Sequence, residues 1–464
     1  MIVFGTDGWR GIIARDFTFA HLDIVTLATA RYVKKIATGN PSVVIGYDTR
    51  FLSKEFAYEA AQILAWQDII VHLTEGFSTT PQVSYHTKQK GATIGIVITA
   101  SHNPPIYNGF KIKANYGGPA TPEQITQVES ELKKLYSSSI HFKFKDFDHY
   151  VKTRQIRLFN AKESYLRYTK KKIDIDIIRK AGFKILFDPM YGAGMNTLGE
   201  LLKVDTIHST FNPSFGTIGH PEPTPDCLFE LIDIMKTDKY DIGIATDGDA
   251  DRLGTIDNEG NFVDSHKIFM ILLKYLYEIK KKRGGVAKTV SLTSMVDMYC
   301  SKNKIPLFET PVGFKYISKV MMENKILIGG EESGGLGTIL HIPERDGMFN
   351  ALLLMEVMAV RKKSLKQLCT ELDEEFGPHR YWRRDVTVTA QQKTAILSAC
   401  EKDLKKLGRF DVLKIETKDG FKFFVENGWL LIRPSGTEPL IRFYAEAESL
   451  SKVNELLDEG RKLK

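Results

Sequence analysis

Cysteine is scarce in this sequence. The 464 residues hold four, Cys227, Cys300, Cys369 and Cys400, far apart and in no CxxC pair. A disulfide framework and a structural zinc site are therefore not expected, and free thiols in a reducing cytoplasm are. Long apolar runs are missing too. None approaches the roughly 18 residues that a membrane span needs, and the best stretch, Ala351 to Val360, carries Glu356. The N-terminus, Met1-Ile2-Val3-Phe4-Gly5-Thr6-Asp7-Gly8, has no basic start and no small-residue cleavage site, so it does not read as a signal peptide. Charge of either sign is not in large excess. The net of +7 suits anionic small molecules better than nucleic acid, for which no zinc spacing or recognition module is present. The basic run Lys280-Lys281-Lys282-Arg283 ends a helical pattern before Gly284-Gly285, which reads as a solvated helix C-terminus.

What is present is ordinary globular material. With 43% hydrophobic and 26% charged residues, disorder, a collagen repeat and a coiled coil are excluded. At roughly 150 residues per domain the length predicts about three domains, in a range of two to four. Apolar strand-like runs alternate with helical patterns. Val43 to Tyr47, Ile69 to Leu73, Ile94 to Ile98, Lys184 to Asp188, Asp241 to Ala245, Val290 to Leu292 and Ile326 to Ile328 read as strands. A helix capped by Ser53 runs through Trp66, and others start at Ser294 and after Gly313. This alternation predicts α/β units with parallel or mixed sheets. The last part differs. Phe421 to Val425 and Trp429 to Ile432 flank Glu426-Asn427-Gly428, a strong hairpin signal. With a helix over Gln391 to Leu407, a strand Ile441 to Ala445 and a final helix Leu450 to Leu463, it predicts a separate α+β domain. The expected divisions are 1–150, 151–258, 259–375 and 376–464.

Three dense polar loops follow apolar strands, where ligands bind in open α/β sheets. In Thr99-Ala100-Ser101-His102-Asn103-Pro104-Pro105, a serine beside a histidine on a rigid Asn-Pro turn can present a nucleophile, with Lys111 nearby to hold an anion. The bland alternative is a decorated turn. In Asp247-Gly248-Asp249-Ala250-Asp251-Arg252, three alternating carboxylates converge on a hard cation, and Mg2+ fits better than Ca2+, whose helix–loop–helix pattern needs a glutamate where Asn258 stands. Without a cation they would repel one another. In Gly329-Gly330-Glu331-Glu332-Ser333-Gly334-Gly335, glycines allow close approach of a ligand, and carboxylate with hydroxyl suits sugar hydroxyls, though a plain turn reads equally well. A fourth loop, Arg433-Pro434-Ser435-Gly436-Thr437-Glu438-Pro439 with Arg442, has the parts of a phosphate clamp, or of a surface turn with Arg–Glu pairs. Together the four supply phosphoryl transfer on a polyhydroxylated phosphate ester. No GxxxxGK loop is present, so ATP is not the obvious donor.

The four loops in series, with Phe4-Gly5-Thr6-Asp7-Gly8-Trp9-Arg10-Gly11 and Gly46-Tyr47-Asp48-Thr49-Arg50 before them, closely resemble the α-D-phosphohexomutase superfamily over essentially the whole chain. The resemblance implies three α/β domains and a C-terminal α+β domain around a central active-site cleft. It implies a phosphoryl group on Ser101, Mg2+ on Asp247, Asp249 and Asp251 beside it, and a hexose 1,6-bisphosphate intermediate and activator. Arg10 would join the catalytic group. Arg252, Gly313, Lys315, Glu331, Ser333 and Arg345 would bind the sugar phosphate, and Arg433, Ser435, Gly436, Thr437 and Arg442 the phosphate that is not reacting. Mannose-accepting bacterial members carry Gly-Glu-Met-Ser-Gly-His in the sugar loop. Here Glu332 replaces the Met and Gly335 the His, which with Thr310-Pro311-Val312-Gly313-Phe314-Lys315 and His341-Ile342-Pro343-Glu344-Arg345-Asp346-Gly347 resembles phosphoglucomutases. That loss leaves His102 or Lys111 as the general acid/base, since an arginine such as Arg345 shuttles protons poorly. Hexose phosphates are the expected partners, with no nucleic acid or membrane, in a cytoplasmic monomer or homodimer.

Overall fold

A computed structural model describes residues 2–136, 142–195, 197–237, 239–402, 404–435 and 439–463. Four main sheets follow one another along the chain. The first has six strands in the order Trp9–Ile12, Tyr107–Ala114, Ile94–Ile98, Ser42–Tyr47, Ile70–Thr74, Ile156–Phe159. Its last four run parallel, and the first two join antiparallel. All five residues of Ile94–Ile98 are buried, as expected of a strand covered on both faces. The second sheet orders Phe262–Val263, Leu253–Ile256, Ile242–Thr246, Ile185–Asp188 and Asp205–Thr206. The third orders Leu307–Thr310, Gly285–Thr289, Ile326–Gly330 and Leu336–Thr338. The fourth is wholly antiparallel: Arg380–Thr387, Leu440–Ala447, Gly428–Pro434, Phe421–Val425, Lys414–Glu416. Three α/β units and one α+β unit are therefore present, with Asn427 at φ 49° in the expected hairpin turn.

Several local expectations are corrected. Ser53 does not cap its helix. It is the first helical residue, and its hydroxyl donates to Asp48 at 2.7 Å. The strand expected at Val290–Leu292 lies at Gly285–Thr289, where Val286 and Ala287 fill the sheet's core and Val290 already turns. The helix expected through Leu407 stops at Cys400, and a small hairpin, Lys406–Leu407 with Phe410–Asp411, takes its place. Lys280 is not simply solvated, because its ammonium pairs with buried Glu356 at 2.6 Å. The first sheet takes Ile156–Phe159 as its edge, past the division expected at 150, because Val71 to Thr74 pairs with it. The second sheet likewise extends to Val263, past 258, because the turn there closes a hairpin.

The first and third units are joined by a buried ion pair. Lys113 Nζ lies 2.7 Å from Glu344 Oε2, with both side chains fully out of water. Ser84 donates to the same oxygen at 2.8 Å, and the backbone N–H of Arg345 donates to Oε1 at 3.0 Å. Breaking such a pair strands a charge in the interior. Lys113→Met is expected to destabilise the protein by about 3–5 kcal/mol in urea unfolding, with Glu344→Gln in the same chain recovering much of it. A loss below about 1 kcal/mol, the worth of an exposed pair, would contradict this.

Candidate active site

The polar loops meet at a cavity of about 840 Å³ lined from all four units. His102 and Arg10 line it from the first, Glu222 and Arg252 from the second, Glu331 and Arg345 from the third, Arg433 and Arg442 from the fourth. Gly313, Lys315 and Ser333 also line it, and burial lowers the Lys315 ammonium pKa. Arg10 reaches across to Asn103 Oδ1 at 2.5 Å.

Ser101, next to the lining residue His102, is 1% exposed and at φ 53°, a left-handed conformation that costs a non-glycine residue about 1–3 kcal/mol. Its hydroxyl donates to Asp247 Oδ2 at 2.8 Å and lies 3.5 Å from His102 Nδ1. The two loops touch through Gly248. A Cβ there would stand 2.5 Å from the Ser101 carbonyl oxygen, so only glycine allows the approach. Asp247, Asp249 and Asp251 are fully buried and present oxygens within 4.8 Å of one another. Burial, then the neighbouring Asp249 and Asp251, push the Asp247 carboxyl well above its ordinary range. Asp249 Oδ1 and Asp251 Oδ1 accept no hydrogen bond among the described residues. Three hard oxygen donors, two of them buried and unsatisfied, fit an oxygen-liking divalent cation.

Two cations are already committed beside this cluster. Lys111 Nζ lies 2.7 Å from Asp249, 2.8 Å from Asp7 and 3.3 Å from Asp251. Burial would lower its pKa, but Asp249, Asp7 and Asp251 outweigh that and keep it charged. Arg345 joins Asp7, Asp251 at 2.6 Å and Glu331 at 3.3 Å. Burial, then the Arg252, Arg10 and Lys111 charges, hold the His102 imidazole well below its usual range. Burial, helped by Glu332, raises Glu331 to about 7. The glycines of the loop over residues 329–335 serve packing. A Cβ at Gly330 would stand 2.5 Å from Leu336, and one at Gly335 would stand 2.3 Å from Arg345 Cδ. Arg345 thus runs through the space beside residue 335.

At the far wall Arg433 and Arg442 are cross-strand neighbours. Arg433 pairs with Asp419 at 2.8 Å and Arg442 with Asp385 at 3.3 Å. Ser435 is tied into the sheet through Leu440, and its carbonyl accepts from Lys393 at 2.7 Å. Gly436 and Thr437 lie outside the described residues. Four residues escaped the sequence reading. Asp7 joins both committed cations, Glu222 pairs with Arg252 at 3.0 Å, and Arg383 adds a third arginine to the far wall. Arg50 lies under the Ser101 loop. Asp7 and Arg50 lie in motifs noted for their sequence alone; Glu222 and Arg383 carry no local signal.

Family models described as phosphoglucomutase/phosphomannomutase match in chain order: alpha/beta/alpha domain I over residues 1–139, domain II over 163–260, domain III over 264–376 and the C-terminal domain over 386–463. A phosphoglucomutase/phosphomannomutase of Thermococcus kodakarensis is 30% identical, covering 99% of this chain and 98% of that one. A phosphoglucosamine/phosphogalactosamine mutase of Sulfurisphaera tokodaii is also 30% identical, over 99% and 98%. The crystal structure of a Thermus thermophilus protein assigned as a phosphomannomutase superposes with a TM-score of 0.86 at 32% identity, over 100% and 98%. Fold and relatives together define an enzyme of the phosphohexomutase class, an intramolecular phosphotransferase. The chain belongs to the phosphoglucomutase/phosphomannomutase family.

The contact at Gly248 gives a direct test. Gly248→Ala is expected to push the Ser101 and aspartate loops apart and lower turnover about 100-fold, the scale of a 1 Å misplacement. Turnover within threefold of the parent, in protein with an unchanged circular dichroism spectrum, would show that the close approach is dispensable.

Proposed function

We propose that the protein interconverts hexose 1-phosphates and hexose 6-phosphates, glucose preferred, through a phosphoryl group on Ser101 and a hexose 1,6-bisphosphate intermediate. The observation that carries this reading is the Ser101 hydroxyl on Asp247, inside a buried aspartate cluster with unsatisfied oxygens. The free hydroxyl of a bound hexose monophosphate attacks the phosphorus of phospho-Ser101. A sugar oxygen–phosphorus bond forms and the serine oxygen–phosphorus bond breaks. Neutral His102 takes the hydroxyl proton, a role for which Lys111 is unsuited while three carboxylates hold it charged. The bisphosphate then turns end for end, the serine oxygen attacks the other phosphorus, and that sugar oxygen–phosphorus bond breaks, the released sugar oxygen taking back the proton from His102. Asp247, Asp249 and Asp251 with Ser101 would hold Mg2+, which when bound neutralises charge on the transferring group.

The cavity's remaining residues position the substrate. Glu331 and Ser333 face the sugar hydroxyls, with Gly313, Lys315, Arg252 and Arg345 around the sugar phosphate, and Arg10 and Lys111 supply fixed positive charge. Arg433, Arg442 and Ser435, joined by Gly436 and Thr437 of the same motif, grip the phosphate that is not reacting. Asp419 and Asp385 hold the two arginines in reach of it, through ion pairs that a doubly charged phosphate can replace. Glucose preference rests on Glu332 and Gly335 in the sugar loop. Mannose, alone or beside glucose, is the second reading, supported by the names of the Thermococcus kodakarensis and Thermus thermophilus relatives, and glucosamine the third, supported by that of the Sulfurisphaera tokodaii relative.

Ser101→Ala is expected to abolish turnover, and peptide mass mapping of the parent should find a substoichiometric phosphoryl group on Ser101. Near-normal turnover in the variant would sink the phosphoserine route. Initial rates with glucose, mannose and glucosamine 1-phosphates, each with catalytic hexose bisphosphate and Mg2+, rank the sugars, and a faster rate with glucosamine would replace the glucose assignment. Arg433→Ala is expected to raise KM and lower kcat together while bisphosphate leaks into solution. Unchanged KM and kcat would remove the clamp from the mechanism.

A further inference from the structure

We propose that Arg50, held by Asp48, is the positioning residue that keeps Ser101 in its left-handed conformation and so aims the serine oxygen at the aspartate cluster. This rests on Ser101 being the phosphoryl carrier. The argument begins with sheet register. Strands Ser42–Tyr47 and Ile94–Ile98 run parallel, with Tyr47 opposite Ile98. The segments that follow them, residues 48–50 and 99–101, therefore leave the sheet side by side, and the Asp48 N–H donates to the Ile98 carbonyl at 3.1 Å.

Both peptide groups of Ser101 are held from this neighbouring segment. On the amino side, the Ser101 N–H donates to Thr99 Oγ1 at 2.9 Å, and Thr99 Oγ1 donates to Asp48 Oδ2 at 2.5 Å. On the carbonyl side, Arg50 Nη2 donates to the Ser101 oxygen at 2.7 Å and to the Asn103 oxygen at 2.5 Å. Arg50 Nη1 donates to the oxygens of Pro104 at 2.9 Å and Tyr107 at 3.1 Å. Four carbonyls of one loop thus converge on one guanidinium. Its Nε lies 3.2 Å from Asp48 Oδ2, and the Phe215 ring of the second unit packs on it at 4.9 Å. The Asp48 carboxylate also accepts from the Arg50 N–H at 2.9 Å and the Ser53 hydroxyl at 2.7 Å, so the pair is anchored from the strand end.

The fork shape matters. Lysine offers one compact ammonium, whereas a guanidinium reaches four acceptors in a plane. Arg50 is 2% exposed and all its side-chain hydrogen bonds go to residues 101–107. The device therefore acts on the nucleophile's loop, whose His102, Asn103, Pro104 and Tyr107 form one side of the cavity, and makes no hydrogen bond to the opposite walls that carry Glu331 and Arg433.

The test uses the full chain with two variants. Arg50→Lys is expected to lower kcat about 100-fold while KM for the hexose phosphate stays within threefold, and transfer from hexose bisphosphate to Ser101 in a single turnover should slow by the same factor. Thr99→Val removes the hydroxyl link to the Ser101 N–H with little change of volume, and is expected to lower kcat about tenfold at unchanged KM. It decides the matter if Arg50→Lys does not fold. A purely structural role would lower the melting temperature but leave kcat per folded molecule unchanged. That outcome, or a loss shared equally by kcat and KM, overturns the proposal. Ser101→Ala tested alongside separates the two readings. Turnover surviving there removes the phosphoserine, whereas its loss together with unimpaired Arg50→Lys and Thr99→Val removes only the positioning role.

Discussion

Negative charge held out of water is the constraint on which the rest of the structure depends. Asp7, Asp247, Asp249, Asp251 and Glu331 crowd the inner end of the cleft, and Lys111 and Arg345 are the cations bound among them. Taking an ion from water costs several kcal/mol even after the protein relaxes. The carboxylates can stay ionised only if each finds a cation or donors, and two of the aspartate oxygens find none among the described residues. A divalent ion held by Asp247, Asp249 and Asp251 would complete that balance. The same demand holds Lys111 and Arg345 in ion pairs, which is why the proposed mechanism gives the proton to His102.

The cleft is correspondingly unequal at its two ends. The inner end is rigid. Gly248 lies against the Ser101 carbonyl, Thr80 fixes Asp249 at 2.6 Å, and Lys113–Glu344 locks the units behind them. The far end is built on an antiparallel sheet whose arginines sit in partly exposed ion pairs. In the proposed reaction that asymmetry suits a substrate that must present first one phosphate and then the other to a fixed chemical centre.

Much of this was legible from local pattern. The three α/β units, the Asn-Gly hairpin and the three loops at strand ends follow from period, turn chemistry and the rule that ligands gather at the C-terminal ends of strands. What escaped depends on distant partners. Asp7 meets Arg345 across 338 positions, and although each lies in a noted motif, neither motif shows that the two pair. Ser53 looks like a helix cap by its neighbours, yet Asp48 takes its hydroxyl. Glycines in the sugar loop read as room for a ligand, but Leu336, Phe269 and Arg345 occupy that room. The strand displaced to Gly285–Thr289 shows the same limit, since its apolar residues continue past the edge into Val290 and Leu292 and the stopping point is set by the neighbouring strands.

The crossing of Arg345 over Gly335 couples two positions of this chain. Because the arginine stem runs where any side chain at 335 would begin, the two positions cannot change one at a time. A histidine introduced first would collide with the stem. Shortening residue 345 first would clear the space but withdraw the cation that bridges Asp7, Asp251 and Glu331. Either order passes through a poorer protein. A side chain at 335 and the bridge among Asp7, Asp251 and Glu331 therefore compete for the same space, so the shape of this loop and the charge balance of the cleft are set by one stem.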